Sequence, residues 1–300
     1  MDIINDFKKL LGTENVLQNE PMRNRTTFRI GGNADLFLTP QGAGDLIDAI
    51  KLAKESNLPY YIIGNGSNLL VRDKGYRGII IQIYKNLNNI DINNDMIKVE
   101  AGALLSQVAR EALNNNLTGI EALSGIPGTI GGAVCMNAGA YGCEIKDILV
   151  NTKVLHNNEV IIMDNNACEF GYRSSKIMTE DMIVIEATLK LAKGNNSDIN
   201  AKMKDFLYQR NSKQPVELPS GGSTFKRPEG YFAAKLIDDC GLRGYSVGNA
   251  SISKKHCGFV VNNGGATAND VIQLINNVKN IVYDKYEVSL EPEIRIIGEE

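Results

Sequence analysis

Two glycine-rich segments in this sequence have a backbone that could bind phosphate groups. The first occupies residues 62–71 (IIGNGSNLLV), and its small and polar centre consists of Gly64, Asn65, Gly66, Ser67 and Asn68. Glycines let backbone N–H groups approach a pyrophosphate closely, and Ser and Asn add neutral donors. Leu69 stands where a Gly-x-Gly-x-x-Gly motif has its last glycine, so a Rossmann site is disfavoured. Taken alone, this segment is better interpreted as a structural turn.

The second segment, residues 125–142 (GIPGTIGGAVCMNAGAYG), contains six glycines in eighteen positions. Each glycine costs backbone entropy on folding, so this density favours ligand binding over a tight turn above a packed helix. The candidate cofactor-binding residues here are Gly125, Ile126, Pro127, Gly128, Gly131, Gly132, Asn137, Gly139 and Ala140. Two such loops together suggest a dinucleotide whose pyrophosphate lies between them.

Three further segments carry groups suited to acid–base or carboxylate chemistry. They are residues 171–175 (GYRSS), 221–228 (GGSTFKRP) and 290–295 (LEPEIR). The groups of interest are Arg173, Ser223, Lys226, Arg227, Glu293 and Arg295. A guanidinium can grip a carboxylate with two hydrogen bonds, whereas a serine hydroxyl is a weak acid that needs assistance. Considered singly, each segment is better explained as a surface charge or a turn.

The elements that must position these residues alternate along the first part of the chain. Apolar residues recur at helical spacing from Leu46 to Ala53 and from Leu105 to Leu113. Strands are predicted for residues 60–63, 78–83, 96–99, 148–155, 160–163 and 183–191. This alternation predicts an α+β fold.

The second part of the chain is predicted to begin after a polar boundary at residues 193–198. A helix follows that includes Ile199 and Leu207, and a shorter one over residues 231–240 is closed by Gly241. Thr267, with Asp270 three residues later, is predicted to cap the last helix. A strand over residues 288–296 should place Glu293 and Arg295 on one face.

The composition excludes several classes of function. The 300 residues include 32 Lys and Arg against 35 Asp and Glu, a net charge of −3, so a nucleic-acid partner is not expected. The sequence has neither a membrane-length apolar run nor a signal-peptide pattern, and we expect a cytoplasmic protein. Five cysteines without a Cys-x-x-Cys pair argue against a disulfide framework, and two distant histidines, His156 and His256, against a metal site or a Ser-His-Asp triad.

Taken together and in this order, the five segments resemble those of the UDP-N-acetylenolpyruvoylglucosamine reductase family, flavoenzymes of peptidoglycan precursor synthesis. The resemblance extends from about residue 26 to residue 298. It implies a two-lobed vanillyl-alcohol-oxidase-type (PCMH-type) FAD-binding domain plus a smaller α+β substrate-binding domain. The implied boundaries are residues 1–85 for the first FAD-binding lobe, 86–195 for the second and 196–300 for the substrate-binding domain.

The resemblance also implies an activity and roles for individual residues. In this family NADPH reduces FAD, and the hydride then passes to C3 of an enolpyruvyl ether. Arg173, Ser223 and Glu293 match the catalytic arginine, proton donor and glutamate. Glu293 is either protonated or holds a cationic donor in place, and the sequence leaves both alternatives open. The small-molecule substrate would be UDP-N-acetylglucosamine enolpyruvate, with no nucleic acid, membrane insertion or obligate protein partner implied.

Some details of the resemblance depend on subgroup. Arg173 and Ser223 are only fifty residues apart, as in the shorter subgroup that lacks an insertion with a substrate-clamping tyrosine. Arg210, Lys226, Arg227 and Arg295 are candidate substrate-binding residues. FAD is predicted to bind without a covalent bond, because no histidine lies in either glycine-rich segment and Cys135 is expected to be a small buried thiol. The alternatives are another flavin oxidase or dehydrogenase of the same fold, or a redox-inactive nucleotide-sugar-binding module.

Overall fold

Helices and short strands alternate throughout residues 3–300, which are the residues that the computed structural model describes. The helices are α1 (Ile3–Leu11), α2 (Ala43–Glu55), α3 (Leu105–Asn114), α4 (Ile130–Cys135), α5 (Lys176–Thr179), α6 (Asn196–Lys213), α7 (Ala233–Asp239) and α8 (Ala268–Tyr286). The first nine strands are β1 (Val16–Pro21), β2 (Asn33–Leu38), β3 (Tyr60–Ile63), β4 (Leu69–Val71), β5 (Tyr76–Gln82), β6 (Ile90–Asn93), β7 (Met96–Glu100), β8 (Leu117–Thr118) and β9 (Gly139–Ala140). The others are β10 (Cys143–Glu144), β11 (Leu149–His156), β12 (Glu159–Asp164), β13 (Ile183–Lys190), β14 (Ala192–Lys193), β15 (Ser246–Val247), β16 (Ala250–Ile252), β17 (Val260–Asn262) and β18 (Arg295–Ile297). The predicted mixture of helices and sheets is confirmed.

The chain divides into two compact units, each with its own buried hydrophobic core. The first unit consists of residues 1–17, 36–65 and 79–209. The second unit consists of residues 18–35, 66–78 and 210–300. The three-part division predicted from the sequence is a different partition, and it stays a prediction.

Helices α2 and α3 of the first unit form where the apolar spacing predicted them. Leu46 and Ile50 of α2 are completely buried, as are Val108 and Ala112 of α3. Residues four apart lie on one face of a helix, so each helix presents an apolar stripe to the core. Full burial of a Leu, Ile or Val side chain contributes about 1.5–3 kcal/mol to stability.

The main sheet of the first unit has five strands in the order β12-β11-β13-β7-β6, all paired antiparallel. A second sheet has the order β1-β2-β5-β3, in which β3 pairs in parallel with β5. The six strands predicted from the sequence agree with β3, β5, β7, β11, β12 and β13 to within two residues at each end. Helix α1 was not predicted, although Phe7 and Leu11 are buried at helical spacing.

Helix α8 packs against α7 and against β15 and β16 of the β15-β16-β17 sheet in the second unit. The short helix predicted at residues 231–240 is α7, and Gly241 ends it with a φ of +72°, a conformation that glycine adopts without strain. The predicted cap of α8 is also confirmed, because the Thr267 hydroxyl accepts a hydrogen bond from Asp270 N at 3.0 Å. The N-terminus of α8 is therefore fixed by the side chains of its first turn.

The carboxylate of Asp270 completes this cap, and its contribution should depend on pH. It accepts hydrogen bonds from the backbone N–H groups of Thr267, which is the largest cause, and of Asn249, and these lower its pKa. A carboxyl whose pKa is lowered by folding stabilises the folded state above its ordinary pKa of about 3.9, and this contribution is lost as the pH falls through the lowered pKa. We expect Asp270→Ala to cost about 0.3–1 kcal/mol at pH 7 and progressively less below pH 4 in urea unfolding. Asp284→Ala, which removes an exposed carboxylate from the same helix outside the cap, is the control.

The start of α6 and the length of the C-terminal strand differ from the prediction. The polar stretch at residues 193–198 already contains the first turn of α6, because the Asn195 side chain accepts a hydrogen bond from Ser197 N at 2.9 Å. The C-terminal strand is confined to β18, which pairs in parallel with β4, rather than extending from residue 288. Residues 291–293 instead form an isolated antiparallel bridge with residues 224–226, in which Pro292 pairs with Phe225. Leu290 and Ile294 are buried on one face, as predicted.

No helix in residues 3–300 has the length and apolar character needed to cross a bilayer.

Candidate active site

The two glycine-rich segments lie against each other within the first unit. The side-chain amide of Asn65 donates a hydrogen bond to the carbonyl oxygen of Pro127 at 2.8 Å. A Cβ on Gly64 would lie 2.2 Å from Thr129 Oγ1, closer than any van der Waals contact. Glycine at position 64 is therefore required for the close approach of the two loops.

Several backbone donors of these loops are available to a ligand. In the described residues, the N–H groups of Gly64, Asn65, Gly125 and Gly128 donate to no protein acceptor. Clustered N–H groups without a cation form an anion-binding concavity, because each carries a partial positive charge. This part of the first unit fits the phosphates of a dinucleotide, and it agrees with the FAD expected from the sequence.

Substituting Gly64 tests this fit. We expect Gly64→Ala to weaken FAD binding at least about tenfold, because the new methyl group collides with Thr129 and must push the loops apart. Titration of the apoprotein with FAD, followed by flavin fluorescence, measures the change. Gly44→Ala is the matched control, since a Cβ there meets nothing within 4 Å. Equal FAD affinity in the Gly64 and Gly44 variants would contradict the assignment.

The glycines within α4 have different roles from those in the loop before it. The N–H groups of Ile130 and Gly131 donate to the carbonyls of Ala103 and Ala101, both at 2.8 Å. A Cβ on Gly131 would lie 2.9 Å from the Cβ of Ala101, so this glycine permits close packing. Gly132, by contrast, is exposed at the first turn, and a Cβ there would make only an ordinary contact with Thr129 Oγ1 at 3.8 Å.

Asn137 holds the second segment together from inside the first unit. It is completely buried, and its amide donates to Glu144 Oε2 at 2.9 Å and to the carbonyl of Gly171 at 3.0 Å. Its side-chain oxygen accepts from Lys146 N at 3.0 Å. These internal hydrogen bonds position the loop, and the contact with FAD predicted for Asn137 stays a prediction.

Arg173 lies on a tight hairpin whose base is fixed to the second segment. Gly171 and Ser174 form a β-bridge, and Arg173 adopts a φ of +52°, which is uncommon for a side-chain-bearing residue. Ser175 anchors the hairpin, because its buried hydroxyl donates to the carbonyl of Cys135 at 2.5 Å. Strained backbone held by its surroundings is frequent at functional sites.

The guanidinium of Arg173 lies beside the β9–β10 hairpin. Its Nη2 donates to the carbonyl of Gly139 at 3.0 Å, next to Ala140 in β9. Hydrogen bonds from Lys146 and Asn137, together with the charge of Arg173, lower the pKa of Glu144. Glu144 is therefore ionised at neutral pH and supplies a negative charge near the arginine.

Ser223 lies at the exposed tip of a loop in the second unit. The loop is close-packed before the serine, because a Cβ on Gly221 would lie 2.8 Å from the ring of Phe28. After the serine, Thr224 is completely buried, donates from its N–H to Gly258 O at 2.8 Å and accepts from Val260 N at 2.9 Å. The hydroxyl of Ser223 is thus presented to solvent on a rigid base.

Glu293 lies on the segment that pairs with this loop. Its N–H donates to the carbonyl of Thr224 at 2.7 Å, and its own carbonyl accepts from the Asn68 amide at 3.2 Å. Arg295, two residues later, donates from its N–H to Asn68 O at 2.9 Å. The second unit therefore brings together the end of the first glycine-rich segment, the loop of Ser223 and the segment that carries Glu293 and Arg295.

The remaining donors of the first glycine-rich segment belong to the second unit. The N–H groups of Gly66, Ser67 and Asn68 donate to no protein acceptor in the part of the chain that the structure describes. A Cβ on Gly222 would lie 4.0 Å from the carbonyl of Ser67, which places the loop of Ser223 next to these donors.

The predicted substrate-binding cations have protein partners in the structure. Lys226 Nζ forms an ion pair with Glu291 at 3.0 Å, and the Arg227 guanidinium lies 3.9 Å from the centroid of the Phe232 ring. Arg210 lies in the last turn of α6. The structure therefore shows Lys226 and Arg227 engaged at the surface, and their contacts with substrate stay predictions.

The cysteines and histidines do not add a reactive group to these clusters. All five cysteines are free thiols, and Cys135 is half-buried rather than fully buried as expected. Burial lowers the pKa of His256, and its Nδ1 accepts from Gly258 N at 3.1 Å. This neutral histidine supports the backbone that holds Thr224.

Four positioning residues were missed in the sequence because their partners are far away along the chain. Thr27 and Thr224 hold the loop of Ser223, while Thr129 and Ser175 hold α4 and the hairpin of Arg173. Threonine and serine are common everywhere, so their spacing carries no signal. The glycine at position 64 is the one sequence signal for such a residue, because it indicates that another segment, that of Thr129, packs closely there.

Comparison with protein families gives two matches that divide the chain. Residues 34–163 match the profile of an FAD binding domain, and residues 214–297 match the C-terminal domain of UDP-N-acetylenolpyruvoylglucosamine reductase. The first match includes both glycine-rich segments, and the second includes Ser223 and Glu293. The chain is therefore a flavoprotein whose cofactor is FAD.

Curated relatives and solved structures resemble the chain over most of its length. UDP-N-acetylenolpyruvoylglucosamine reductases of Clostridium botulinum (strain Hall) and Clostridium tetani are 48% and 47% identical over all 300 residues, covering 98% and 97% of those proteins. The crystal structure of that reductase from Thermus caldophilus has a TM-score of 0.80 at 33% identity, covering 94% of this chain and 97% of the other.

A more distant likeness concerns the fold alone. Alkyldihydroxyacetonephosphate synthase has a TM-score of 0.50 at 13% identity, over 64% of this chain and 40% of that one. The predicted α+β fold with a vanillyl-alcohol-oxidase-type FAD-binding domain is confirmed. Sequence identity of 48% over the whole chain establishes homology. The protein belongs to the UDP-N-acetylenolpyruvoylglucosamine reductase family of flavin-dependent oxidoreductases.

Proposed function

We propose that this protein reduces UDP-N-acetylglucosamine enolpyruvate to UDP-N-acetylmuramate, with NADPH as the reductant, in peptidoglycan precursor synthesis. The observation that carries the proposal is the hydrogen-bonded cluster of the second unit. There the loop of Ser223 pairs with the segment of Glu293 that precedes β18, and Asn68 binds the same segment through two hydrogen bonds, to Glu293 O and from Arg295 N. Backbone hydrogen bonds thereby hold the proposed proton donor, a carboxylate and part of the proposed flavin-binding loop on adjacent segments.

The reaction requires the protein to guide a hydride and a proton to adjacent carbons. Bound FAD would supply the hydride transfer, accepting hydride from NADPH and delivering it to C3 of the enolpyruvyl group. Negative charge then develops at C2 and spreads into the carboxylate. The chain must bind that carboxylate, orient the double bond and donate a proton to C2.

Arg173 is the group that we assign to the carboxylate. Its guanidinium is permanently charged and planar, so it can form two parallel hydrogen bonds to a carboxylate. The anchored hairpin and the hydrogen bond to Gly139 O hold it in one orientation. A preoriented cation stabilises the developing enolate without a reorganisation cost during the reaction.

Ser223 is the group that we assign to protonation of C2, and Glu293 supports the enolate site. A serine hydroxyl is a weak acid, so the proton must be replaced through a relay or the alkoxide must be stabilised by donors nearby. Glu293 either carries a proton or orients such a donor. Its backbone position next to Thr224 O is the feature that favours a joint role with Ser223.

The UDP part of the substrate would be held by cations of the second unit. Arg210, Lys226, Arg227 and Arg295 are the proposed contacts, since phosphate groups bind guanidinium and ammonium groups strongly. On binding, Lys226 would leave its ion pair with Glu291, and Arg227 would leave its contact with Phe232. The loss of free energy is small, because such surface contacts are weak. We also propose non-covalent FAD, a cytoplasmic location and the domain boundaries 1–85, 86–195 and 196–300.

The proposal is tested by two half-reactions of the purified protein without oxygen. NADPH should bleach the yellow flavin, and UDP-N-acetylglucosamine enolpyruvate should restore its colour with formation of UDP-N-acetylmuramate. Flavin that is bleached by an alcohol substrate and restored by oxygen would instead indicate an oxidase or dehydrogenase. Protein that takes up no flavin on reconstitution with FAD would indicate a binding module without redox activity.

A further inference from the structure

Thr27 forms a bridge between two functional loops of the second unit. Its backbone N–H donates to the carbonyl of Gly66 at 3.2 Å, in the first glycine-rich segment. Its side-chain hydroxyl donates to the carbonyl of Ser220 at 2.7 Å, three residues before Ser223. One half-buried residue is therefore bonded at the same time to the flavin-binding loop and to the loop of the proposed proton donor.

The residues on both sides of Thr27 leave it little freedom. On one side, a Cβ on Gly66 would lie 2.3 Å from the carbonyl oxygen of Arg25, so the two backbones are in close contact. On the other side, Phe28 is completely buried against Gly221, and its carbonyl accepts from the Asn262 amide at 3.1 Å. Thr27 is thus held on a rigid segment rather than on a mobile loop.

The loop of Ser223 is anchored differently at its two ends. Beyond the serine, Thr224 is fixed by hydrogen bonds to Gly258 O and Val260 N. Before the serine, the anchors are a β-bridge between Ser220 and Val261 and the hydroxyl of Thr27. Of these anchors, Thr27 is the one that ties the loop directly to the backbone of the first glycine-rich segment.

We propose that Thr27 is a positioning residue that sets the distance and direction of Ser223 relative to the flavin-binding loop. This inference rests on the proposed function, in which Ser223 donates the proton to C2. Proton transfer depends steeply on the position of the donor, and a displacement of about 1 Å can cost about 10²-fold in rate. Loss of the Thr27 hydroxyl frees the carbonyl of Ser220 and allows the serine loop to shift.

The test measures the two half-reactions in Thr27→Val, which keeps the shape and the backbone N–H but lacks the hydroxyl. We expect reoxidation of the flavin by the enolpyruvyl substrate to slow about 10–100-fold. Reduction by NADPH and the dissociation constant of FAD should stay within about twofold of the unmodified protein, since the bond to Gly66 is kept. The solvent deuterium isotope effect on reoxidation should rise, because proton transfer becomes more rate-limiting.

Two further variants distinguish loss of the hydroxyl from a general disturbance of the fold. Thr27→Ser keeps the hydroxyl and should restore the rate of reoxidation to within about threefold. Thr27→Ala also lacks the hydroxyl but adds no bulk, so it replaces the valine variant if that protein does not fold. Thr152→Val is the matched control, because Thr152 makes the same kind of hydrogen bond, from Oγ1 to Glu186 O at 2.8 Å, in the sheet of the first unit.

The outcomes separate this inference from the function on which it rests. Reoxidation at the unmodified rate in Thr27→Val, or equal slowing in Thr27→Ser and Thr27→Val, overturns the positioning role. If Ser223→Ala still slows reoxidation alone, the proposed function survives that result. If Ser223→Ala slows both half-reactions equally, Ser223 is not the proton donor and both proposals fall. A double Thr27→Val, Ser223→Ala variant no slower than Ser223→Ala supports action through the serine.

Discussion

Replacing Ser223 with alanine is expected to slow reoxidation of the flavin by UDP-N-acetylglucosamine enolpyruvate about 10²–10⁴-fold. The physical reason is that C2 loses its proton donor, while the hydride donor and the carboxylate contact are unchanged. Reduction of the flavin by NADPH should proceed at nearly the original rate, since no proton from Ser223 is needed in that step. Stopped-flow absorbance of each half-reaction, without oxygen, measures the two rates separately.

The effect of Ser223→Ala is judged against Ser246→Ala, which removes another exposed serine hydroxyl of the second unit. The control variant should retain both rates, because Ser246 belongs to none of the hydrogen bonds of the site. Ser223 is itself exposed and is followed by the buried Thr224, so its replacement should leave the fold intact. Equal slowing of both half-reactions by Ser223→Ala would show that the serine has another role.

Replacing Arg173 with lysine is expected to slow the same reoxidation step about 10–100-fold. Lysine keeps the charge but lacks the planar fork, so the substrate carboxylate loses one of two charge-assisted hydrogen bonds, each of about 1.5–3 kcal/mol. The hydrogen bond from Arg173 Nη2 to Gly139 O is also lost, which frees the side chain to move. Backbone strain is unchanged, because both residues carry the same penalty at a φ of +52°.

Arg110→Lys serves as the control for this substitution, at an exposed position of α3 in the same unit. It should leave both half-reactions and the affinity for FAD unchanged. The affinity of the Arg173 variant for UDP-N-acetylmuramate, measured by flavin absorbance changes, should fall along with the rate. Unchanged turnover in Arg173→Lys would argue against a contact between this arginine and a carboxylate or enolate.

Much of the fold follows from patterns that are local in the sequence. The apolar stripes of α2 and α3 and the cap of α8 were predicted because each depends on residues no more than a few positions apart. Helix α1 was missed although Phe7 and Leu11 have the same spacing. The C-terminal strand was predicted too long, because Glu291 and Glu293 form hydrogen bonds with residues 226 and 224 in an isolated bridge rather than in a sheet.

The candidate site, in contrast, depends mainly on contacts between residues that are distant in the sequence. The glycine-rich segments were recognisable by composition, yet the need for glycine at position 64 arises from Thr129, which is distant in sequence. The amide of Asn137 donates to Glu144 and to the carbonyl of Gly171, which the motif did not predict, while its predicted contact with the cofactor stays a prediction. No property of the isolated motif distinguishes a ligand contact from such an internal one.

The sequence by itself determined the family, the positions of the two glycine-rich segments and the chemical types of Arg173, Ser223 and Glu293, because motif order and side-chain chemistry are local properties of the chain. The tertiary structure alone decided which groups hold them, such as Thr27, whose hydroxyl binds a carbonyl 193 residues away. Covalent order constrains neighbours within a few residues, whereas a contact between distant segments exists only after both cores have packed. The orientation of each reactive group is therefore a product of folding, although its identity is not.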